Sequence, residues 1–291
     1  MSGQLYLLPC PISEAPALDA LPASTVETDR RIDHFLVEAA RTARATLKAM
    51  GHPKPIAELD IVEIGHDPAP ELISEWLQPV LDGADAAVLS ESGCPGVADP
   101  GAQIAARAHE LGICVVPLTG PSSILLTLMA SGLDGQRFRF SGYLPKHDAE
   151  RRAAILAAEK ASRASETQLF IETPYRNTAL LDALLETLAP DTRLTVAIDV
   201  TGQNESIRTL TAAAWKAIPK AMRTLPKLPT VFAFLAKPGN RAPRYAPECA
   251  GGKRAHTAPS SKPAVLNNRP KQAFKTHRPE GSPVKTLKGG R

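Results

Sequence analysis

The sequence predicts an α/β protein in two parts. A mainly parallel sheet with helices occupies residues 1–118, and an α+β domain with a mixed sheet occupies 119–237. A disordered basic tail follows at 238–291. Three observations lead there. Up to residue 118, short β-rich runs alternate with segments of helical periodicity, the pattern of parallel strands joined by crossover helices. Beyond it β-like runs dominate, with only two strong helices between them. From Pro238 to Arg291 there are twelve Lys/Arg against two acids, a charge of +10, among many Pro, Gly, Ser and Asn. Such a segment buries too little apolar surface to offset its ordering entropy. With a net charge of +4 for the whole chain, residues 1–237 carry −6.

In order, the first part predicts strands at 4–9 ("QLYLLP"), 24–27 ("STVE"), 59–65, 85–90 and 113–118. Apolar residues at helical spacing predict helices over 33–50, 70–83 and 100–112, with Pro79 kinking or dividing the second. "ILLTLMASG" reads as a helix leading into the second part. There, strands are expected at 137–144, 167–173, 193–200, 206–211 and 230–237, and helices at 149–164 and 177–188.

Composition narrows the classes. A hydrophobic fraction of 43% over 291 residues suits a globular protein with a sizeable core. The N-terminus has no basic region before an apolar stretch, and no run approaches membrane-spanning length, so a cytoplasmic protein is expected. Cys10, Cys94, Cys114 and Cys249 are scattered, which predicts reduced thiols and no metal site.

The stretch "SESGCPGVADPG" (90–101) follows the apolar run "ADAAVLS". Strand, glycine-rich turn and helix is the layout by which backbone approaches a ligand at the carboxyl end of a strand, with Asp99 as the expected N-cap ahead of Pro100. A glycine-rich turn is also a common tight connection. This one has neither a Walker nor a G-x-G-x-x-G pattern. Other short loops fall at strand ends too: "PCPISE", "ETDRR", "GHDPAPE", "TGPSS" and "ETPYR". Their convergence predicts one crevice. At Gly93 a branched side chain would fill the space a ligand needs.

The combination "SESGCPGVADPG", "PLTGPSSILLTLMASG", "FSGYLP", "LFIETPYRN" and "AIDVTGQNE" resembles the tetrapyrrole methylase family over about residues 3–237. The resemblance implies an S-adenosylmethionine-dependent methyltransferase of two α/β domains, with the cofactor in the cleft between them, and a homodimer. The branch it is most similar to methylates a ribose 2′-hydroxyl of small-subunit ribosomal RNA. By motif, Ser92, Gly93, Cys94, Pro95, Val97 and Asp99 match the loop against the cofactor's methionine and ribose. Pro11, Ser122, Ser123, Glu172, Thr173 and Val200 match further contacts. The RNA branch reads A-E-D-T-R after its second strand. Here "VETDRR" is expected at that place, with a shortened segment between the first two strands.

On the same resemblance Asp29 is the expected base or orienting acid, with Glu27 beside it and His66 after the third strand as further catalytic candidates. Asp29 also reads as a charge partner at the N-terminus of the helix over 33–50, and His66 as an exposed loop residue. Arg176, which adjoins the cofactor loop in "ETPYR", is a candidate for an anionic substrate; Arg151 and Arg152 are candidates too, or belong to the solvated face of a helix. Trp76 and Trp215 read as packing residues. Three functions stay open: RNA ribose methylation, methylation of a small molecule such as a tetrapyrrole, and a non-catalytic domain that binds the cofactor or RNA.

Overall fold

The structure is a computed structural model that describes residues 2–14 and 16–238, all within one compact unit. The tail expected to be disordered lies outside the described residues from 239 onward.

Strand β1 (Gln4–Leu8) leads into two short helices, α1 (Ala17–Ala20) and α2 (Ala23–Asp29), and then β2 (His34–Val37) and α3 (Ala40–Met50). Next come β3 (Asp60–Glu63), α4 (Pro70–Trp76), α5 (Gln78–Leu81), β4 (Ala86–Leu89), α6 (Gly101–Glu110) and β5 (Cys114–Pro117). All five strands are parallel, in the order β3-β2-β4-β1-β5. The connections from β1 and β2 run one way across the sheet, and those from β3 and β4 run the other. Right-handed crossovers then put the first group of helices on one face and the second on the other. Leu8, Phe35, Val37, Ala87 and Leu89 accordingly pack with Val26 and Leu47, while Leu5, Leu36, Ala86 and Val88 pack with Ile73, Val80 and Ile104.

Helix α7 (Ser123–Ser131) follows, with the Ser122 hydroxyl accepting from the Leu125 N–H and Gly132 ending it at φ 66°. A second sheet is built from β6 (Phe138–Tyr143), β7 (Thr167–Glu172), β8 (Arg193–Ile198), β9 (Ser206–Thr211) and β10 (Thr230–Leu235). Between them run α8 (Asp148–Ser162), α9 (Asn177–Thr187) and α10 (Ala212–Ala217). The order is β6-β7-β10-β8-β9, with only β6 and β7 parallel. Phe170, Phe232 and Phe234 face α8 to α10, and Leu169, Val231 and Ala233 face α7. This is the expected mixed sheet.

Two expectations in the first part are corrected. Residues 24–27 are not a strand but the middle of α2, where the Thr28 hydroxyl donates back to the Ser24 carbonyl. The second strand is His34–Val37, read from sequence as the start of a helix over 33–50. It lies between β3 and β4 and is buried on both faces, so its apolar residues run continuously and carry no strand period. Ala39, at φ −140° and ψ 119°, separates it from α3. The segment joining the first two strands is therefore not short, because it holds both α1 and α2. Pro79 falls where the helix over 70–83 divides into α4 and α5.

His34 ties three of these elements together. Its Nδ1 lies 2.6 Å from Asp60 Oδ2 and its Nε2 lies 3.0 Å from the Trp76 carbonyl, with the side chain almost wholly buried. His34→Ala unpairs both groups and leaves a void. It should cost about 2 kcal/mol and lower the thermal midpoint by about 5 °C with the circular dichroism of the fold retained. An unchanged midpoint would mean that the contact is incidental.

Candidate functional site

The carboxyl ends of β1 and β4 are neighbours whose connections leave in opposite directions, the switch point at which open α/β sheets form a crevice. Their loops are locked together there. Cys10 N–H donates to the Gly93 carbonyl at 2.9 Å, and Gly93 N–H returns to the Cys10 carbonyl at 3.2 Å. The Cys10 thiol, pushed up to about 12 by burial, donates to the Ser90 carbonyl. The Cys94 thiol donates to the Pro121 carbonyl at 3.3 Å, which ties in the loop after β5. Gly120 in that loop lies so close to Pro9 that a Cβ on it would sit 2.3 Å from the proline ring.

These loops and the ends of the second sheet enclose a cleft of about 360 Å³. Seven expected cofactor residues line it: Ser92, Val97, Asp99, Ser123, Glu172, Thr173 and Val200. Pro11 lines an adjoining cavity of about 350 Å³ that shares Ile12, Glu91, Ser92 and Pro229 with the first. Ser13 and Thr201 are within hydrogen-bond reach of each other, linking the loops after β1 and β8. Gly93, Cys94, Pro95 and Ser122 line neither space and act on the loops behind it. Gly93, at φ 76°, presents its open side to Ile12 and the Pro121 carbonyl, so a branched residue there strains the loop and does not fill the cleft.

Three non-glycine residues with left-handed backbone cluster here: Ala98 at φ 64°, Asp199 at 49° and Thr201 at 67°. Ala98 lines the cleft and Asp199 its neighbour. Strain of this kind persists where surrounding contacts over-determine the backbone. Asp99 is one source of that constraint, its Oδ1 accepting from Gly96 N–H at 2.6 Å and from Gly101 N–H at 2.9 Å; the N-cap of α6 is Pro100 and not Asp99 as expected, which lies one residue before it. Its buried Oδ2 has no hydrogen-bond partner among the described residues.

The expected catalytic group is only partly assembled. Glu27 is exposed on α2, and Asp29 is fully buried at the end of that helix; neither lines the cleft. Both come before the second strand, not after it. The residues that do follow β2 are Glu38, Ala39, Ala40 and Arg41, so "VEAAR" stands where the RNA branch has A-E-D-T-R, keeping its Glu and Arg. Glu38 lines the cleft, and His66 Nδ1 lies 2.8 Å from its Oε1. Burial raises the Glu38 carboxyl above its ordinary range, helped by the charges of Glu91 and Asp99 and opposed by His66. Sequence reasoning missed Glu38 because it was placed inside a helix. The signal was a lone carboxylate directly after three apolar residues, Phe35, Leu36 and Val37.

Arg176 is committed to Glu172, with 2.9 Å between Nη2 and Oε2, and Glu172 Oε1 accepts the Thr173 N–H at 2.7 Å. Arg151 is held by the Lys146 carbonyl and by Asp148, in a charged groove between α8 and α9, and does not reach the cleft. Trp215 donates to the Leu194 carbonyl from the core, a packing role as expected.

Fold and cleft together define a two-sheet α/β protein whose strand-end loops converge on one cleft. The chain belongs to the tetrapyrrole (corrin/porphyrin) methylases, whose family model matches residues 19–215. It is 30% identical over 203 residues to the ribosomal RNA small subunit methyltransferase I of Bacillus subtilis strain 168, covering 70% of this chain and 65% of that protein. It is 30% identical over 205 residues to the Vibrio cholerae protein of the same name, covering 70% and 67%. The chain thus spans just under two thirds of the Bacillus relative. Among solved structures, the methyltransferase CobJ shares the fold with a TM-score of 0.55 at 16% identity, over 81% of this chain and 95% of that one. A conserved hypothetical protein of Aeropyrum pernix K1 does so with a TM-score of 0.57 at 16% identity, over 82% and 86%.

Burial pushes the Asp29 carboxyl up to about 7, with nearby Arg30 pulling the other way, and neither oxygen has a hydrogen-bond partner among the described residues. The unfolded chain ionises this group near its ordinary 3.8, so between roughly pH 4 and 7 only the native state holds the proton. Stability is lost as pH rises through that window. Asp29→Asn should abolish the slope, the difference from wild type widening by up to about 4 kcal/mol between pH 4 and 8 in denaturant titrations. Parallel curves would show that the carboxylate is solvated.

Proposed function

We propose that this chain is an S-adenosylmethionine-dependent methyltransferase of small-subunit ribosomal RNA, acting on a ribose 2′-hydroxyl. The observation that carries the reading is the strand-end cleft lined by Glu38, Glu91, Asp99 and Glu172. A cofactor with a sulfonium and an ammonium group complements Glu38, Glu91 and Asp99, Glu172 being paired with Arg176, and the unpartnered Asp99 Oδ2 suits a donor on it. Family membership supports the chemistry, and the names of the Bacillus and Vibrio relatives support the acceptor. Residues 1–118 and 119–237 are read as two domains, since one sheet draws only on residues 4–117 and the other on 138–235. We also infer a cytoplasmic homodimer: no described helix is long and apolar enough to cross a membrane, and α7 exposes Leu125 and Met129.

The cofactor supplies an electrophilic methyl group on sulfur. The chain's part is to hold the two reactants in line and to manage one proton. Ser92, Val97 and Asp99 would hold the cofactor from the loops of the first sheet, and Ser123, Glu172, Thr173 and Val200 would hold it from the second part. With that methyl group as the electrophile, Glu38, oriented by His66, would take the proton of the acceptor hydroxyl. Asp29 and Glu27 take no part in this scheme.

The test is to incubate the purified protein and methyl-labelled S-adenosylmethionine with small ribosomal subunits from a strain lacking the gene. Label should appear in a 2′-O-methylnucleoside. Label in a low-molecular-weight fraction of lysate and not in RNA would favour a small-molecule acceptor, and no cofactor binding by calorimetry would end the methyltransferase reading. Glu38→Gln should lower kcat by about 10²- to 10³-fold. Since the base acts deprotonated, wild-type rate should fall on the acid side, with its midpoint above the ordinary carboxylate value. A rate equal to wild type in Glu38→Gln removes Glu38 from the chemistry.

A further inference from the structure

The two sides of the cleft differ in charge and in surface chemistry. Acidic groups come mainly from the first sheet: Glu38, Glu91 and Asp99. The second sheet brings Tyr143 and the Arg176-paired Glu172 to the cleft, and its topology gathers further aromatic and basic groups at the adjoining edge. Strands β6 and β7 are parallel, so their carboxyl ends lie side by side, with Tyr143 opposite Ile171. Strand β10 is antiparallel to β7, with Thr230 opposite Glu172, so the segment entering β10 reaches the same end.

What lies at that edge is unusual for a globular surface. Tyr143 is 61% exposed and Tyr175, four residues beyond Ile171, is 81% exposed. Neither hydroxyl has a hydrogen bond among the described residues. Tyr143 is delivered into the cleft by a bulge: the β6–β7 register shifts between Phe140 and Tyr143, where Gly142 takes φ 64°. Bulges beside active sites commonly re-aim a side chain in this way. Tyr175 is held from one side by Lys227, whose Nζ lies 5.3 Å from the ring centroid. Lys146 and His147 are exposed in the loop that leaves β6.

We infer that this edge of the second sheet is the docking surface for the acceptor, a single-stranded RNA segment whose bases stack on Tyr143 and Tyr175 and whose phosphates meet Lys227 and Lys146. The inference rests on the proposed RNA-methylating reading. Exposed aromatic rings interleaved with lysines are how proteins bind single strands, because every base offers a π-face and every nucleotide a charge. Duplex RNA offers no free base faces to such a surface. The carboxylates of the opposite wall repel phosphates, which directs the strand along this edge while a ribose enters the cleft.

The experiment uses the full-length protein with Tyr143→Ala, Tyr175→Ala, Tyr175→Phe and Lys227→Ala. Binding of a short fluorescent single-stranded RNA is measured against salt, alongside steady-state methylation of small subunits, calorimetric binding of S-adenosylmethionine, and thermal melting. Each Tyr→Ala change should weaken the oligonucleotide about tenfold and raise KM for the subunit more than it lowers kcat. Tyr175→Phe should restore stacking. Lys227→Ala should reduce the salt slope by about one. For the Tyr175 and Lys227 variants, cofactor affinity and melting should match wild type. Tyr143→Ala and Tyr175→Ala binding single-stranded RNA as wild type does would overturn the inference while leaving the methyltransferase reading intact. Wild-type protein that binds the cofactor yet methylates no RNA would overturn the acceptor reading and this surface with it.

Discussion

The site depends on one contact, the pair of backbone hydrogen bonds between Cys10 and Gly93 at the carboxyl ends of β1 and β4. Two loops leaving adjacent strands in opposite directions have no covalent reason to stay together. The pair closes them, with the Cys10 thiol bonded to the Ser90 carbonyl behind and the Cys94 thiol reaching the loop after β5. Three strand ends thereby move as one unit. The strained backbone of Ala98 is tolerable because Asp99 is fastened within it to Gly96 and Gly101.

From that lock the electrostatics of the cleft follow. Burial in the fixed loops raises the Glu38 carboxyl, and Glu91 and Asp99, held close to it, add to that, a perturbation that loose loops and water would relax. His66 offsets part of the cost and fixes the orientation of Glu38. On the second sheet the carboxylate of Glu172 is neutralised by Arg176, so the negative field is strongest on the first-sheet wall. On the proposed reading, this asymmetry separates the cationic cofactor from the anionic acceptor within one small crevice.

Asp29 illustrates how burial and function can be confused. Burial pushes its carboxyl up to about 7, yet it lines neither the cleft nor the adjoining cavity. Burial alone raises it, whereas Glu38 is raised by burial and by facing acids at the cleft. The second combination is the better mark of a working site.

Much of the fold was legible in the residues. The strands of the second sheet, helices α8 and α9 and the glycine turn after β4 all carry strong local signals, because edge polarity and turn chemistry are written into short stretches. The motifs also carried the family resemblance and seven of the cleft-lining residues. The second strand was not legible. "HFLV" is buried on both faces, so it has no alternation to separate it from the helix that follows, and "STVE" has strand-like residues in a helix. That one misplacement put Asp29, and not the cleft-lining Glu38, after the expected second strand. Local sequence thus determined most strand ends and which turns line the cleft. Only the tertiary structure decided which carboxylate stands at the cleft, that Gly93 supports the loops from behind, and that a bulge swings Tyr143 inward. These depend on how loops far apart in the chain converge, and periodicity within one segment carries no record of its neighbours across the sheet.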